Sequence, residues 1–176
     1  MAYKDLQEFM RRLDRAGQLK RIAVEADPEL EITEVADRVV KAGGPALLFE
    51  NPKGSRYPVL INAFGTMERM AMALGVERLD DIGAEIAEYF EIGQYIGLVN
   101  QVKAVPRLTR LANVFPKKLA GRGACQQVVE RQPDLSALPV LKCWPGDAGR
   151  FFTLPLVFTA DPDTGAQNCG MYRMQV

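Results

Sequence analysis

Apolar positions near the start of the chain recur at helical spacing. Leu6, Phe9, Met10, Leu13 and Ala16 fall on one face, charged residues lie between them, and Gly17 supplies a stop. Over residues 19–24 basic and apolar side chains alternate, as in a short strand. Helical spacing returns at 31–42, where Ile32, Val35, Ala36, Val39 and Val40 share a face and Gly43-Gly44-Pro45 ends the pattern. Ala46-Leu47-Leu48-Phe49 is a continuous apolar run and predicts a buried strand. A turn at Asn51-Pro52-Lys53-Gly54 leads to a further strand, Val59-Leu60-Ile61. Residues 67–74 and 80–90 are helical by pattern. This succession predicts an α/β fold, a sandwich of two or three layers.

The pattern changes after residue 93. Val105-Pro106, Phe115-Pro116, Gly121, Gly123, Pro133, Pro139 and Pro145 punctuate a long connection over 93–145, whose best strand candidate is 126–129. Residues 151–159 are rich in aromatic and β-branched side chains. Asp161-Pro162-Asp163-Thr164-Gly165 is a turn signal, and 167–176 reads as the returning strand of a hairpin. A lone hairpin is marginal in water. That strand reaches Val176 in mid-run, so the chain is expected to be a piece of a larger enzyme.

Charge and composition narrow the chemistry. Lys plus Arg equals Asp plus Glu at 22 each, which argues against broad electrostatic binding to nucleic acid. No apolar run approaches the roughly 20 residues of a membrane span. The N-terminus lacks the apolar core of a signal peptide, and a cytoplasmic location is expected. There is no histidine, which excludes a cysteine–histidine zinc site and a Ser-His-Asp triad within these residues. Cys125, Cys143 and Cys169 form no CxxC pair and are expected to be buried, reduced thiols.

Four segments could carry chemistry. Gly43-Gly44-Pro45 could approach a phosphate, but no helix N-terminus follows in the right place, and a helix-to-strand turn is the reading preferred. Gly123-Ala124-Cys125-Gln126-Gln127 could bind a ligand or form a polar strand. In 141–153, Trp144 sits in a Pro/Gly-rich loop as a docking plug or a pocket wall, and Asp147 could pair with Arg150. In 167–173, Arg173 suits a phosphate or carboxylate and Asn168 offers an oxygen to a hard cation. An ordinary strand with a polar face remains open for that segment.

In order and spacing these segments resemble the N-terminal part of the UbiD family of prenylated-FMN-dependent decarboxylases. The likeness runs through Tyr3-Lys4-Asp5-Leu6, residues 31–38, residues 43–54, Asn62-Ala63-Phe64-Gly65-Thr66, Cys125-Gln126-Gln127, Cys143-Trp144-Pro145-Gly146-Asp147 and residues 168–173. It implies an N-terminal α/β sandwich domain over 1–115. A linker and the first strands of a split, flavin-reductase-like β-barrel would follow over 116–176. It implies that Asn168 is a ligand of a divalent metal, Mn²⁺, bridging to the cofactor phosphate, with K⁺ as a further ion. Met171, Tyr172 and Arg173 would line the prenylated FMN site, Arg173 would support the acid–base network around the substrate carboxylate, and Thr153 would lie nearby. The substrate implied is an aromatic or α,β-unsaturated carboxylic acid, such as a hydroxybenzoate of quinone biosynthesis. A flavin prenyltransferase would supply the cofactor, and the full-length protein would be a homo-oligomer. The family's proton-donating glutamate and remaining metal ligands would lie beyond residue 176, so the segment is expected to be inactive alone. Cys169 departs from the family's pattern.

One geometric expectation follows. Side chains alternate along a strand, so Asn168 and Arg173 should point to opposite faces unless the strand bends, with Gly170 the expected place. Two other readings stay open: a module that pairs through an exposed sheet edge, and a flavin- or nucleotide-binding module without catalysis.

Overall fold

The structure, a computed structural model, describes residues 3–91 and 120–176. The expected boundary at 115/116, and the punctuation at Val105-Pro106 and Phe115-Pro116, lie outside the described residues.

Helix α1 spans Leu6–Arg15 and starts at Asp5, whose carboxylate accepts the Glu8 N–H at 2.8 Å. Such a cap satisfies a backbone donor that the first helical turn leaves free. Strand β1 (Leu19–Ala26), helix α2 (Glu31–Lys41) and strand β2 (Ala46–Pro52) form a parallel β-α-β unit. Strand β3 (Val59–Ile61) adds antiparallel to β2, which makes β2 the central strand. That position explains its unbroken apolar run, because both of its faces are covered.

Alternation along β2 sorts the core into two halves. Leu47 and Phe49 pack with Ile32 and Ala36 of α2, joined by Ile22, Val59, Ile61 and Leu141. Ala46 packs with Phe9 and Leu13 of α1 and with Ala63, Leu60 and Met72. The sheet therefore lies between helices on both faces, the three-layer form of the expected α/β sandwich. Helices α3 (Met67–Leu74) and α4 (Leu79–Glu91) follow.

The glycine pair after α2 is a helix-to-strand turn. Gly43 takes φ 65°, and the Gly43 and Gly44 N–H groups donate to Val40 and Val39 carbonyls. This is the capping geometry that glycine favours, and no phosphate cradle forms there. Asn62, itself at φ 58°, donates from its side chain to the Gly44 and Pro45 carbonyls and so ties this turn to the start of α3. Beside it Arg69 is 1% exposed, with its Nη1 donating to the Gln18 side chain at 3.0 Å.

Residues 120–176 are built from short pieces. A single 3-10 turn at Ala124–Gln126 stands where the strand at 126–129 was expected. The Gln126 side chain accepts the Gly123 N–H at 2.9 Å and folds the segment locally instead. A second 3-10 turn covers Leu135–Ala137. Residues 138–143 then dock on the sandwich. Val140 is buried, Leu141 enters the core, and the Lys142 carbonyl accepts the Leu30 N–H at 3.0 Å. Leu30 holds φ 69°, with the Glu31 N–H donating to Glu29 across a γ-turn, a strained conformation for a branched residue.

The predicted strand over 151–159 is two strands, β4 (Phe151–Phe152) and β5 (Leu156–Ala160), separated at Thr153-Leu154-Pro155. The returning segment is likewise β6 (Gln167–Met171) and β7 (Met174–Gln175). β5 and β6 form the expected hairpin, whereas β7 pairs with β4. Pro155, which has no N–H to give a ladder, marks the break on one side.

Candidate functional site

The site is best followed outward from Asp147. The Trp144–Asp147 stretch is a turn in which the Asp147 N–H donates to the Trp144 carbonyl at 3.0 Å. In return the Asp147 carboxylate accepts the Trp144 N–H at 3.2 Å. That turn also meets α2 from behind, where the Thr33 hydroxyl shares its one proton between the Leu30 carbonyl at 2.9 Å and the Cys143 carbonyl at 3.2 Å. The carboxylate is therefore fixed by backbone and faces Arg173, whose Nη2 donates to it at 2.8 Å. Sequence reasoning offered Arg150 as its partner; the structure pairs it with Arg173. Chain distance misleads here, because the β4–β7 ladder brings residue 173 back beside the loop.

Arg173 is gripped twice. Its guanidinium carbon lies 3.8 Å from the centre of the Phe151 ring, within cation–π range. The Arg173 side chain is 45% exposed and that of Asp147 11% exposed. The remaining Arg173 N–H groups make no hydrogen bond among the described residues. Partial burial pushes the Asp147 carboxyl up, but the Arg173 bond and charge and the backbone N–H groups of Trp144 and Cys143 outweigh it and hold it below its ordinary value. Burial also pushes the Cys143 thiol up, with the Asp147 charge adding and the Arg173 charge opposing. Cys125 and Cys169 are exposed and Cys143 is half-buried, against the expectation that all three cysteines would be buried.

The other predicted site residues fall around this pair. Asn168 sits in mid-β6 opposite Thr159, exposed, and its side chain has no hydrogen-bond partner among the described residues. Met171 ends the β5–β6 ladder at 63% exposure, and Tyr172 follows at 53%. The ladder runs regularly through Gly170, so the expected bend at Gly170 is not there. Tyr172 and Arg173, between β6 and β7, belong to neither ladder, and the Arg173 side chain reaches Asp147 from there. Thr153 lines an apolar cavity of about 390 Å³ with Leu60, Leu141, Phe151, Phe152 and Pro155. Trp144 is a wall of a smaller cavity of about 200 Å³ with Leu30, Thr33 and Cys143.

The donor set fits part of a flavin site. A fixed guanidinium whose remaining N–H groups are unbonded among the described residues suits a phosphate or carboxylate, and an apolar cavity lined by Phe151 adjoins it. Asn168 could give one oxygen to a metal. Among the described residues no group of three or more His, Cys, Asp or Glu could hold a metal ion, so these side chains do not form a cage by themselves. Nor is any described helix long and apolar enough to cross a membrane.

Two family models match the chain. Residues 10–106 match the 3-octaprenyl-4-hydroxybenzoate carboxy-lyase N-terminal domain, and residues 117–176 match the Rift-related domain of the same carboxy-lyase. An uncharacterized protein of Archaeoglobus fulgidus is 51% identical over 176 residues, covering 100% of this chain and 36% of that protein. One of Aquifex aeolicus is 43% identical, covering 99% and 36%. The chain thus spans about a third of the length of these relatives. Among solved structures, the UbiD-class enzyme HmfF from Pelotomaculum thermopropionicum in complex with FMN superposes with a TM-score of 0.71 at 26% identity, over 97% of this chain and 34% of that one. The closed form of the vanillic acid decarboxylase of Sedimentibacter hydroxybenzoicus gives 0.72 at 28% identity, over 99% and 35%.

Proposed function

Because the chain belongs to the 3-octaprenyl-4-hydroxybenzoate carboxy-lyase family, we propose that it is the first third of a decarboxylase that removes CO₂ from an aromatic or α,β-unsaturated acid without net oxidation. The observation that supports this most is the Arg173 guanidinium, fixed by Asp147 and Phe151 and still open on one side. Its free N–H groups would bind an anionic group of cofactor or substrate and orient it. Met171 and Tyr172 would pack against the flavin, Thr153 would border it from the adjoining cavity, and Asn168 would contribute one oxygen to Mn²⁺. When bound, prenylated FMN supplies the electron sink that loss of CO₂ from an sp² carbon demands. The proton donor, the remaining metal ligands and any K⁺ site would come from the rest of the full-length protein, which leaves these residues inactive alone. They would form the α/β domain over 1–115 and the start of the flavin-binding barrel over 116–176.

The test is the full-length protein co-expressed with a flavin prenyltransferase. We expect it to purify with flavin absorbance and to release CO₂ from a hydroxybenzoate or an acrylic acid. Arg173→Ala should lower both flavin content and turnover by at least tenfold. Purification free of flavin under those conditions, with no turnover on Mn²⁺ addition, would sink the reading.

A further inference from the structure

We propose that Asp147 and Phe151 are positioning residues for Arg173: carboxylate and ring hold the guanidinium in one place and leave its outer N–H groups to an anion. This deepens the reading above and rests on its assignment of Arg173 to the flavin site.

The asymmetry of the clamp carries the inference. Arg173 lies between β6 and β7, where no ladder holds its backbone. Both jaws, by contrast, are tied to the rest of the molecule. The Asp147 carboxylate is fixed by the Trp144 N–H, and the residues before that turn are fastened to the entry of α2 through the Leu30 N–H and the Pro28 carbonyl. The Phe151 N–H donates to the Leu141 carbonyl at 3.0 Å, and Leu141 belongs to the sandwich core. An ordinary surface ion pair joins two mobile, solvated side chains and contributes little. Here one partner is 11% exposed and held by backbone, so a single cation is drawn to a site prepared for it. Only Nη2 of Arg173 is used on Asp147, which leaves the other donors available. A long side chain immobilised beforehand loses less freedom when an anion binds, and so binds it more tightly. The α/β sandwich would thus act on the cofactor site without touching the cofactor.

FMN titration of the full-length apoprotein, followed by flavin fluorescence quenching, tests this. The variants are Arg173→Ala, Asp147→Asn, the double variant and Phe151→Leu. Asp147→Asn keeps one oxygen for the Trp144 N–H, removes the charge and turns the other oxygen into an NH2 group. We expect it to weaken FMN binding about tenfold. In the Arg173→Ala background it should do nothing further, because Asp147 acts only through Arg173. Phe151→Leu leaves the carboxylate in place and should weaken binding about threefold, which keeps the test decisive if Asp147→Asn folds poorly. If Arg173→Ala leaves FMN affinity unchanged, the flavin-site reading fails and the inference with it. If Arg173→Ala weakens binding while neither Asp147→Asn nor Phe151→Leu does, or if the Asp147 and Arg173 losses add, the site stands and the positioning role is overturned.

Discussion

A Cβ at Gly65 would collide with Asn62 Oδ1 and lie 3.1 Å from Arg69 Nη2. No rotation of a methyl group relieves the first contact, so the Asn62 side chain would have to leave. It would then lose its bonds to the Gly44 and Pro45 carbonyls. We expect Gly65→Ala to destabilise the fold by about 2 kcal/mol, the usual cost of stranding partly buried polar groups. The midpoint of urea unfolding measures it, and a midpoint equal to wild type would refute the close approach. At the same scale the sequence made Arg173 legible as an anion ligand but hid its partner. Asp147 and Arg173 are 26 positions apart, and only strand pairing across that interval brings them together.

The β5–β6 hairpin depends on its turn as much as on its ladder. Asp161 accepts the Thr164 N–H and hydroxyl at 2.7 and 2.8 Å and the Asp163 N–H at 3.0 Å. The Thr164 N–H, then its hydroxyl, then the Asp163 N–H hold the Asp161 carboxyl below its ordinary value, against a smaller upward push from burial. The folded turn therefore binds a proton less readily than the open chain. Its stabilisation is fully present above the ordinary carboxylate pKa, about 3.9, and is lost as pH falls through the lowered folded value. We expect protection of the Asp163 and Thr164 amides, corrected for intrinsic exchange, to be flat near neutrality and to decline only in acid. Protection that persists unchanged well below the ordinary carboxylate range, or that is the same in Asp161→Ala, would show that the carboxylate does not hold the turn.

Across the whole molecule the covering of the sheets differs sharply. Leu47, Leu48 and Phe49 of β2 are at most 5% exposed, whereas Leu156 and Phe158 of β5 are 63% and 76% exposed. Local opening free energy follows buried apolar contact and protected hydrogen bonds. A two-stranded pair open on both faces is marginal. In hydrogen exchange of this chain, amides of β1 and β2 should therefore exchange on the slow scale of global unfolding. Those of β5 and β6 should exchange at least a hundredfold faster. Equal protection in both sheets would contradict the fold as a description of this chain in solution.

Sequence alone determined the helices, the buried central strand, the capping glycines and the hairpin turn. Each is written in short-range physics: apolar period, cap chemistry and backbone freedom. It also identified the residues to watch, from Asn168 to Arg173, and the family to which they belong. Only the tertiary structure decided that 126–129 is not a strand, that the predicted strands over 151–159 and 167–176 each divide in two, and that the ladder runs regularly through Gly170 and changes partner only after Met171. Those outcomes depend on which strand finds which partner, and pairing partners are set by contacts far apart in the chain. The Asp147–Arg173 pair is the functional form of the same limit: each residue was visible by itself, and their meeting was not.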